Sequence, residues 1–314
     1  MAIQTLGLSY DGPKWTVNQL IKSPTFVPNT IMKMVKDANI ADWLLREGPT
    51  ASGGSVAFEE TVALYASTEG EIVAEFGEYP GTQGSVSTPG VRSTTKKGVH
   101  FKISEEMRTR NDTGRVADEM RKVRDTLVNG RDKAFINALM ANTNVTQQFT
   151  PGTQWNSAST TIISDIAKAM YSISSVPVAG PAQYAETLNY TADTLVIHPS
   201  YTPYFIDNAS INSIFAGSPL ADQQLRYTGK LPKKFMTLDV LTSFRCPTDR
   251  AIVCQRGAMG FISTEWPLAA SPLKRDEDTD SYRTNFRYRD VMVVDNPKAV
   301  VYIMGIDKIT GVGD

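Results

Sequence analysis

The chain has 314 residues, 41% of them hydrophobic and 21% charged, with a formal net charge of −1. These are the proportions of an ordinary soluble protein with one large or two modest domains. The balance argues against a sequence-reading nucleic-acid protein, which carries a basic excess, while leaving passive contact with nucleic acid open. The opening MAIQTLGLSYDGPKW lacks the basic and apolar regions of a secretory signal. No stretch approaches the ~20 apolar residues of a membrane span. Cys246 and Cys254 show no CxxC spacing, so reduced thiols in a cytoplasmic setting are expected.

Residues 1–48 are punctuated by Pro13, Pro24 and Pro28. Leu20 and Ile21 close one short helical pattern, and Ile31, Met34, Val35 and Ala38 recur at helical spacing in the next. This segment reads as an arm lying on something else. From Gly48 to Ser104 the texture turns to Gly, Ser, Thr and short β-runs. Val99, Phe101 and Ile103 alternate with Gly98, His100, Lys102 and Ser104, the period of a half-buried strand. Ile72 and Phe76 stand on the outgoing side, and PGTQGSVSTPG supplies the turn residues. The whole reads as a long hairpin with a flexible tip. A two-stranded ribbon is marginal alone in water, so it either folds back over its own body or lies on a neighbour.

The strongest local signal is TGRVADEMRKVRDTLVNGRDKAFINALMA. Val116, Met120, Val123 and Leu127 form one apolar stripe, continued by Ala134, Ala138 and Leu139. Asp112 or Thr113 can cap its start, and Gly130 is a weak point that need not stop a helix. Residues 160–282 read as a compact α/β unit. It has a helix through Ile162, Ile166, Met170 and Ile173, a strand in TLVIHPS, a helical YTPYFIDNASINSIF, and short apolar runs bounded by Pro and Gly. The last zone, YRDVMVVDNPKAVVYIMGI, supplies two β-runs separated by Asp295, Asn296 and Pro297.

Motifs for chemistry are missing. Only His100 and His198 are present, and there is no GxSxG, GxxxxGK[ST] or HExxH. His198 reads as a residue ending a strand. Asp276, Asp278 and Asp280 open like a calcium loop, but Ser281 and Arg287 stand where that loop needs Gly and Glu. No catalytic, cofactor-binding or metal-binding residue is assigned. The expected protein is not an enzyme and uses no cofactor.

The order of arm, long hairpin, long helix, compact α/β unit and returning strands resembles the major capsid proteins of tailed bacteriophages with the Hong Kong 97 (HK-97) fold. IADWLLREG, GGSVAFEE, EGEIVAEFGEYP and KISEEMRTRNDTGRVADEMRKVRDTLVNGRDKAF are similar to capsid subunits of siphophages, especially those of actinobacterial hosts. The resemblance implies an α+β fold with 1–48 as N-arm, 49–104 as an extended E-loop, 105–159 as the spine-helix region of a P-domain, 160–282 as an A-domain and 283–314 as strands returning to the P-domain. It further implies that the hairpin overlaps a neighbouring subunit, with Tyr79, Pro80, Gly81, Gln83, Val86, Pro89 and Val91 as candidate contacts at its tip. Val116, Met120, Val123 and Leu127 would be the core face of the spine helix.

The implied partners are copies of the same chain in hexamers and pentamers of an icosahedral shell. A separate scaffolding protein, a portal, a possible decoration protein and packaged double-stranded DNA complete the list; no membrane is involved. Location would be the virion capsid, assembled in the bacterial host cytoplasm. An encapsulin-type nanocompartment shell is the alternative. Some relatives staple subunits by an isopeptide bond between an E-loop lysine and a P-domain asparagine. Here 80–90 contains no lysine, while Lys96 and Lys97 lie on the returning strand and Asn296 in a turn, so a non-covalent shell is expected.

Overall fold

In the computed structural model the described residues are 16–36, 38–51, 53–60, 72–79, 89–142, 145, 147–157, 160–177, 187–188, 190–208, 211 and 233–307. Three short helices come first: α1 (Val17–Lys22), α2 (Phe26–Lys36) and α3 (Ile40–Leu44). Thr16 and Gln19 start α1 with a reciprocal capping box. Pro28 stands in the first turn of α2, where its missing N–H removes no helical bond. Val27, Ile31 and Val35 are the buried stripe of α2, whereas Met34 is half-buried and Ala38 exposed. The stripe is therefore rotated from the one expected at Ile31, Met34, Val35 and Ala38, because the neighbouring helix takes the i, i+4, i+8 row.

The chain continues through β1 (Arg46–Glu47), β2 (Ser55–Glu59), β3 (Pro89–Ser93), β4 (Thr95–Ser104), α4 (Glu105–Thr109) and α5 (Thr113–Met140). β5 (Gln148–Phe149), α6 (Ile162–Ser174), β6 (Thr194–Ile197), α7 (Thr202–Asp207), β7 (Lys234–Phe235) and β8 (Leu238–Thr242) follow. The last strands are β9 (Arg250–Cys254), β10 (Phe261–Ala270), β11 (Lys274–Asp276), β12 (Ser281–Val293) and β13 (Val300–Met304).

The 28 residues of α5 give a rod of about 42 Å at 1.5 Å per residue, unbroken at Gly130. Asp112 caps it by accepting a hydrogen bond from the Arg115 N–H at 3.0 Å. Its two halves serve different cores. Val116, Met120, Val123 and Leu127 are buried with Val17, Leu20, Val27, Ile31 and Val35 of α1 and α2 and with Phe101, Ile103, Phe286 and Tyr288 of β4 and β12. Farther along, Phe135, Ile136 and Leu139 enter a second core with β6, β9, β13 and α6. Ala134 and Ala138, expected in the stripe, are only half-buried; the larger side chains beside them take the buried direction.

One sheet has five strands: β1, β10, β12 and β11 in order, with β4 on the free side of β12. The other has six, in the order β5-β13-β9-β6-β8-β7. Sheet membership cuts across the zones read from the sequence. β10 lies within 160–282 yet pairs with β12, and β13 lies within 283–314 yet pairs with β9 in the α/β sheet. The alternation of Val99, Phe101 and Ile103 also misled as to partner. Their strand pairs with β12, Val99 opposite Phe286 and Ile103 opposite Tyr282, and not with the outgoing side of the hairpin. Periodicity names the buried face of a strand and is silent about its neighbour.

The N-terminal arm is tied to α5 by polar contacts. The Asn111 side chain accepts from the Val17 N–H at 2.8 Å. Asn39, the residue preceding α3, makes no capping bond with its side chain. Asp132 of α5 takes over that role, accepting from the Ile40 N–H at 3.1 Å. Beside it Arg131 reaches Asp42 at 2.8 Å and Asp290 at 3.1 Å, joining α3, α5 and β12.

Burial raises the pKa of Asp132 above the ordinary carboxylate value, against its backbone hydrogen bonds. A raised folded-state pKa means stability fully present below the ordinary value and lost as pH rises through the raised one. Asp132→Asn keeps the acceptor and removes the charge. In urea unfolding of the subunit, its stability relative to wild type should rise from about pH 4 to pH 7. Asp132→Ala, which loses the cap, should be less stable by about 1–2 kcal/mol. An Asn variant that loses ground as pH rises would contradict this account.

Candidate intersubunit interface

The base of the hairpin is a two-stranded ribbon, β2 antiparallel to β3, with Ser55 opposite Ser93 and Glu59 opposite Pro89. It leaves the five-stranded sheet at a junction built by Gly54 and Thr94. Gly54 has φ +84°, a left-handed backbone that favours glycine, and a Cβ there would lie 3.0 Å from an Arg289 guanidinium nitrogen. The Thr94 N–H donates to the Gly54 carbonyl at 2.9 Å. The Thr94 hydroxyl lies 2.6 Å from a Glu265 carboxylate oxygen, and Glu265 pairs with Arg289 at 3.0 Å. Sequence reasoning missed this junction; the Gly53-Gly54 doublet was its one visible signal.

Between the hairpin base and α5 lies a cleft of about 410 Å³, lined by Phe58 and Arg92 on one side and Ala134, Ala138 and Ala141 on the other. Of the candidate tip residues, Tyr79 is 83% exposed. Pro89 and Val91 belong to β3, where Val91 faces Ala57 and remains exposed; they are strand residues and not part of the turn. Pro80, Gly81, Gln83 and Val86 lie outside the described residues. Two further side chains stand out: Ile72 and Phe76 are fully exposed. Residues 72–79 thus present Ile72, Phe76 and Tyr79 to solvent outside every hydrophobic cluster of the described residues, a run of exposed apolar side chains that calls for a binding partner.

The residues weighed for chemistry hold structural places. His198 caps the short turn at Pro199–Tyr201, its Nδ1 accepting from the Ser200 N–H at 3.2 Å. Burial pushes the Cys246 thiol up to about 12 and raises that of Cys254 as well, so neither is a thiolate at neutral pH. Asp276 stands between Lys102 at 3.7 Å and Arg283 at 3.5 Å, and Asp280 pairs with Arg275. Lys96 and Lys97 point to opposite faces of β4: the Lys96 ammonium lies 5.5 Å from the Trp266 ring centre, while Lys97 lines the cleft. The Asn296 amide donates to the Ala258 carbonyl at 2.7 Å. Among the described residues no cluster of His, Cys, Asp and Glu could hold a metal ion, and no helix is long and apolar enough to cross a membrane.

The family model described as phage capsid protein matches residues 90–303, which run from β3 through both sheets. The chain belongs to this phage capsid protein family. A search of curated proteins gave no match. Among solved structures, the capsid of the cyanophage P-SCSP1u is similar at 13% identity and a TM-score of 0.58, over 85% of this chain and 88% of that one. The virus-like particle from Pyrococcus furiosus is similar at 10% identity and a TM-score of 0.55, over 90% of this chain and all of that one. The structure titled Mycobacterium phage Bobi is similar at 12% identity and a TM-score of 0.55, over 86% and 89%. The capsid protein therefore has the HK-97-like fold. It is a capsid shell protein of the virion.

Proposed function

We propose that this capsid protein is the major shell subunit of a tailed bacteriophage, a siphovirus, assembling in the host cytoplasm into hexamers and pentamers around double-stranded DNA. The observation that carries the reading is the segment 72–79. Ile72, Phe76 and Tyr79 stand exposed and belong to none of the three hydrophobic clusters of the described residues. In a shell, that surface is covered by a neighbour, through the head-to-tail contacts that close under rotational symmetry. The hairpin 49–104 acts as the E-loop, α5 as the spine of the P-domain and the six-stranded sheet as the centre of the A-domain. A separate scaffolding protein and a portal are the expected assembly partners, with a decoration protein as an optional one. The subunit catalyses no reaction and takes no cofactor.

The test is excision of the hairpin beyond its ribbon. Glu59 and Pro89 are paired, so an Asn-Gly turn replacing residues 60–88 can close β2 onto β3. The excised chain should stay soluble, with a melting temperature within a few degrees of wild type, because neither core loses a side chain. Electron micrographs should show closed icosahedral particles for wild type and none for the excised chain. Boiled in detergent, wild-type particles should release a single band near the 34.4 kDa chain mass, as a shell without covalent links requires. Normal shells from the excised chain, or its failure to fold, would sink the reading. Particles filled with protein cargo and free of DNA would favour the nanocompartment instead.

A further inference from the structure

The backbone alone ties the hairpin to the body loosely. On its outgoing strand Thr94 is the single residue between the first rung of β3 on β2, Ser93 opposite Ser55, and the last rung of β4 on β12, Thr95 opposite Asp290. On the incoming strand Gly53 and Gly54 both have positive φ, +69° and +84°, where glycine keeps its conformational freedom. A ribbon attached only in this way is free to tilt.

Two side chains of the sheet supply stiffness. In β10, Thr264 pairs with Asp290 and Trp266 with Arg289, so Glu265 is an extra residue, a β-bulge. Regular alternation would send Glu265 and Trp266 to opposite faces. The bulge brings both to Arg289: the Glu265 carboxylate pairs with its guanidinium at 3.0 Å, and the Trp266 ring centre lies 5.7 Å from it. From there Glu265 reaches the outgoing strand, 2.6 Å from the Thr94 hydroxyl, the length of a charge-assisted bond. Arg289 stands against the incoming strand, where a Cβ on Gly54 would lie 3.0 Å from its Nη2. Its Nε is buried with no hydrogen-bond partner among the described residues, a cost in stability that a freely placed arginine would avoid.

We propose that the Glu265–Arg289 pair is a bracket: it grips both strands of the hairpin at the root, fixes the angle at which the hairpin leaves the sheet, and thereby sets the curvature of the shell. The last step rests on the shell reading. Five residues of β2 at ~3.3 Å each make a lever of about 16 Å, so a tilt of about 10° at the root moves the far end of the ribbon by about 3 Å. A close-packed interface does not absorb such a shift. Repeated from copy to copy around a closed assembly, a spread of hairpin angles becomes a spread of particle diameters.

Thr94→Val tests it, since valine keeps the branched shape and removes the hydroxyl, while Thr94→Ser keeps the hydroxyl. Spin labels on Ala57→Cys in β2 and Lys274→Cys in β11, both exposed, report the angle; Cys246 and Cys254 are buried and take no label. In subunits held below the concentration at which they assemble, the label-to-label distance distribution should be narrow. Thr94→Val should widen it about twofold, and Thr94→Ser should return it to the original width. In electron micrographs Thr94→Val should give particles of mixed diameter, and Thr94→Ser particles as uniform as wild type. Should Thr94→Val fail to fold, Glu265→Ala, which leaves the hairpin's own residues intact, takes its place with the same expectations.

A folded Thr94→Val chain with unchanged distances overturns the bracket, even if it melts at a lower temperature, because the contacts would then stabilise the sheet and nothing more. Widened distances with particles of uniform diameter overturn the link from hairpin angle to curvature. Wild-type chains that form no shells defeat the shell reading itself, and the distances measured in subunits then decide the bracket by themselves.

Discussion

Leu127→Asp should leave almost no soluble subunit. Leu127 is 3% exposed, on the half of α5 packed against α2, β4 and β12. The substitution removes the transfer and packing energy of a buried leucine, about 2–5 kcal/mol. It also introduces a carboxylate among the buried apolar and aromatic side chains of that core. An aspartate there either ionises without a partner or takes up a proton, and each course costs further stability. The total is comparable with the 5–15 kcal/mol by which domains are stable. Expression followed by centrifugation should find the variant in the pellet. Arg124→Ala, at the edge of the buried row with its side chain about one third exposed, should remain soluble, since its partner is the adjacent exposed Asp125. Soluble, folded Leu127→Asp would mean that α5 does not face a core at this position.

Trp155→Ala should be nearly as severe, through the other core. Trp155 is fully buried and meets Tyr201 and Phe205 edge to face, with ring centres 6.0 and 5.5 Å away. Its indole N–H donates to the buried Asp165 carboxylate at 3.1 Å. Truncation of a core tryptophan costs about 3–5 kcal/mol, and the loss of that donor leaves Asp165 buried with the more distant Lys168 ammonium, 3.9 Å away, as its one cation among the described residues. Burial already raises the Asp165 pKa, and without the indole it should rise further. The lost ion–dipole contact therefore matters most at neutral pH, where the carboxylate is charged, and least in acid. Chemical unfolding at pH 7 should register a loss of at least about 3 kcal/mol, with the deficit shrinking toward pH 4. Trp155→Phe separates the two effects, since it retains most of the ring packing and removes the donor. Equal stabilities for Trp155→Phe and wild type at pH 7 would show that the indole–carboxylate bond contributes little.

These two side chains differ in how visible they were. Leu127 stood out in the sequence because a long amphipathic helix advertises its buried row every three or four residues. Trp155 lies outside regular structure, between β5 and α6, where no period exists to mark it. The same division runs through the interface. The base of the hairpin was legible as short β-runs in a Gly- and Ser-rich stretch, and β2 and β3 do pair there. The bracket at its root was not, since Gly54, Thr94, Glu265 and Arg289 come from separate strands and their ends, and no local window holds them together.

By itself the sequence determined the long helix and its Val116–Leu127 stripe, the buried face of β4 and the strand at Thr194–Ile197. All are properties of the chain within a dozen residues, set by side-chain period and backbone preference. The tertiary structure alone decided which strands are neighbours: β4 against β12, β10 away from the α/β unit, β13 inside it. It also decided that α5 would join two cores, and that Asp132 would cap a helix 92 residues upstream. Strand pairing is made by backbone groups common to every residue, so register and partner are chosen by the burial of whole faces at once. That choice exists only when distant segments are packed together.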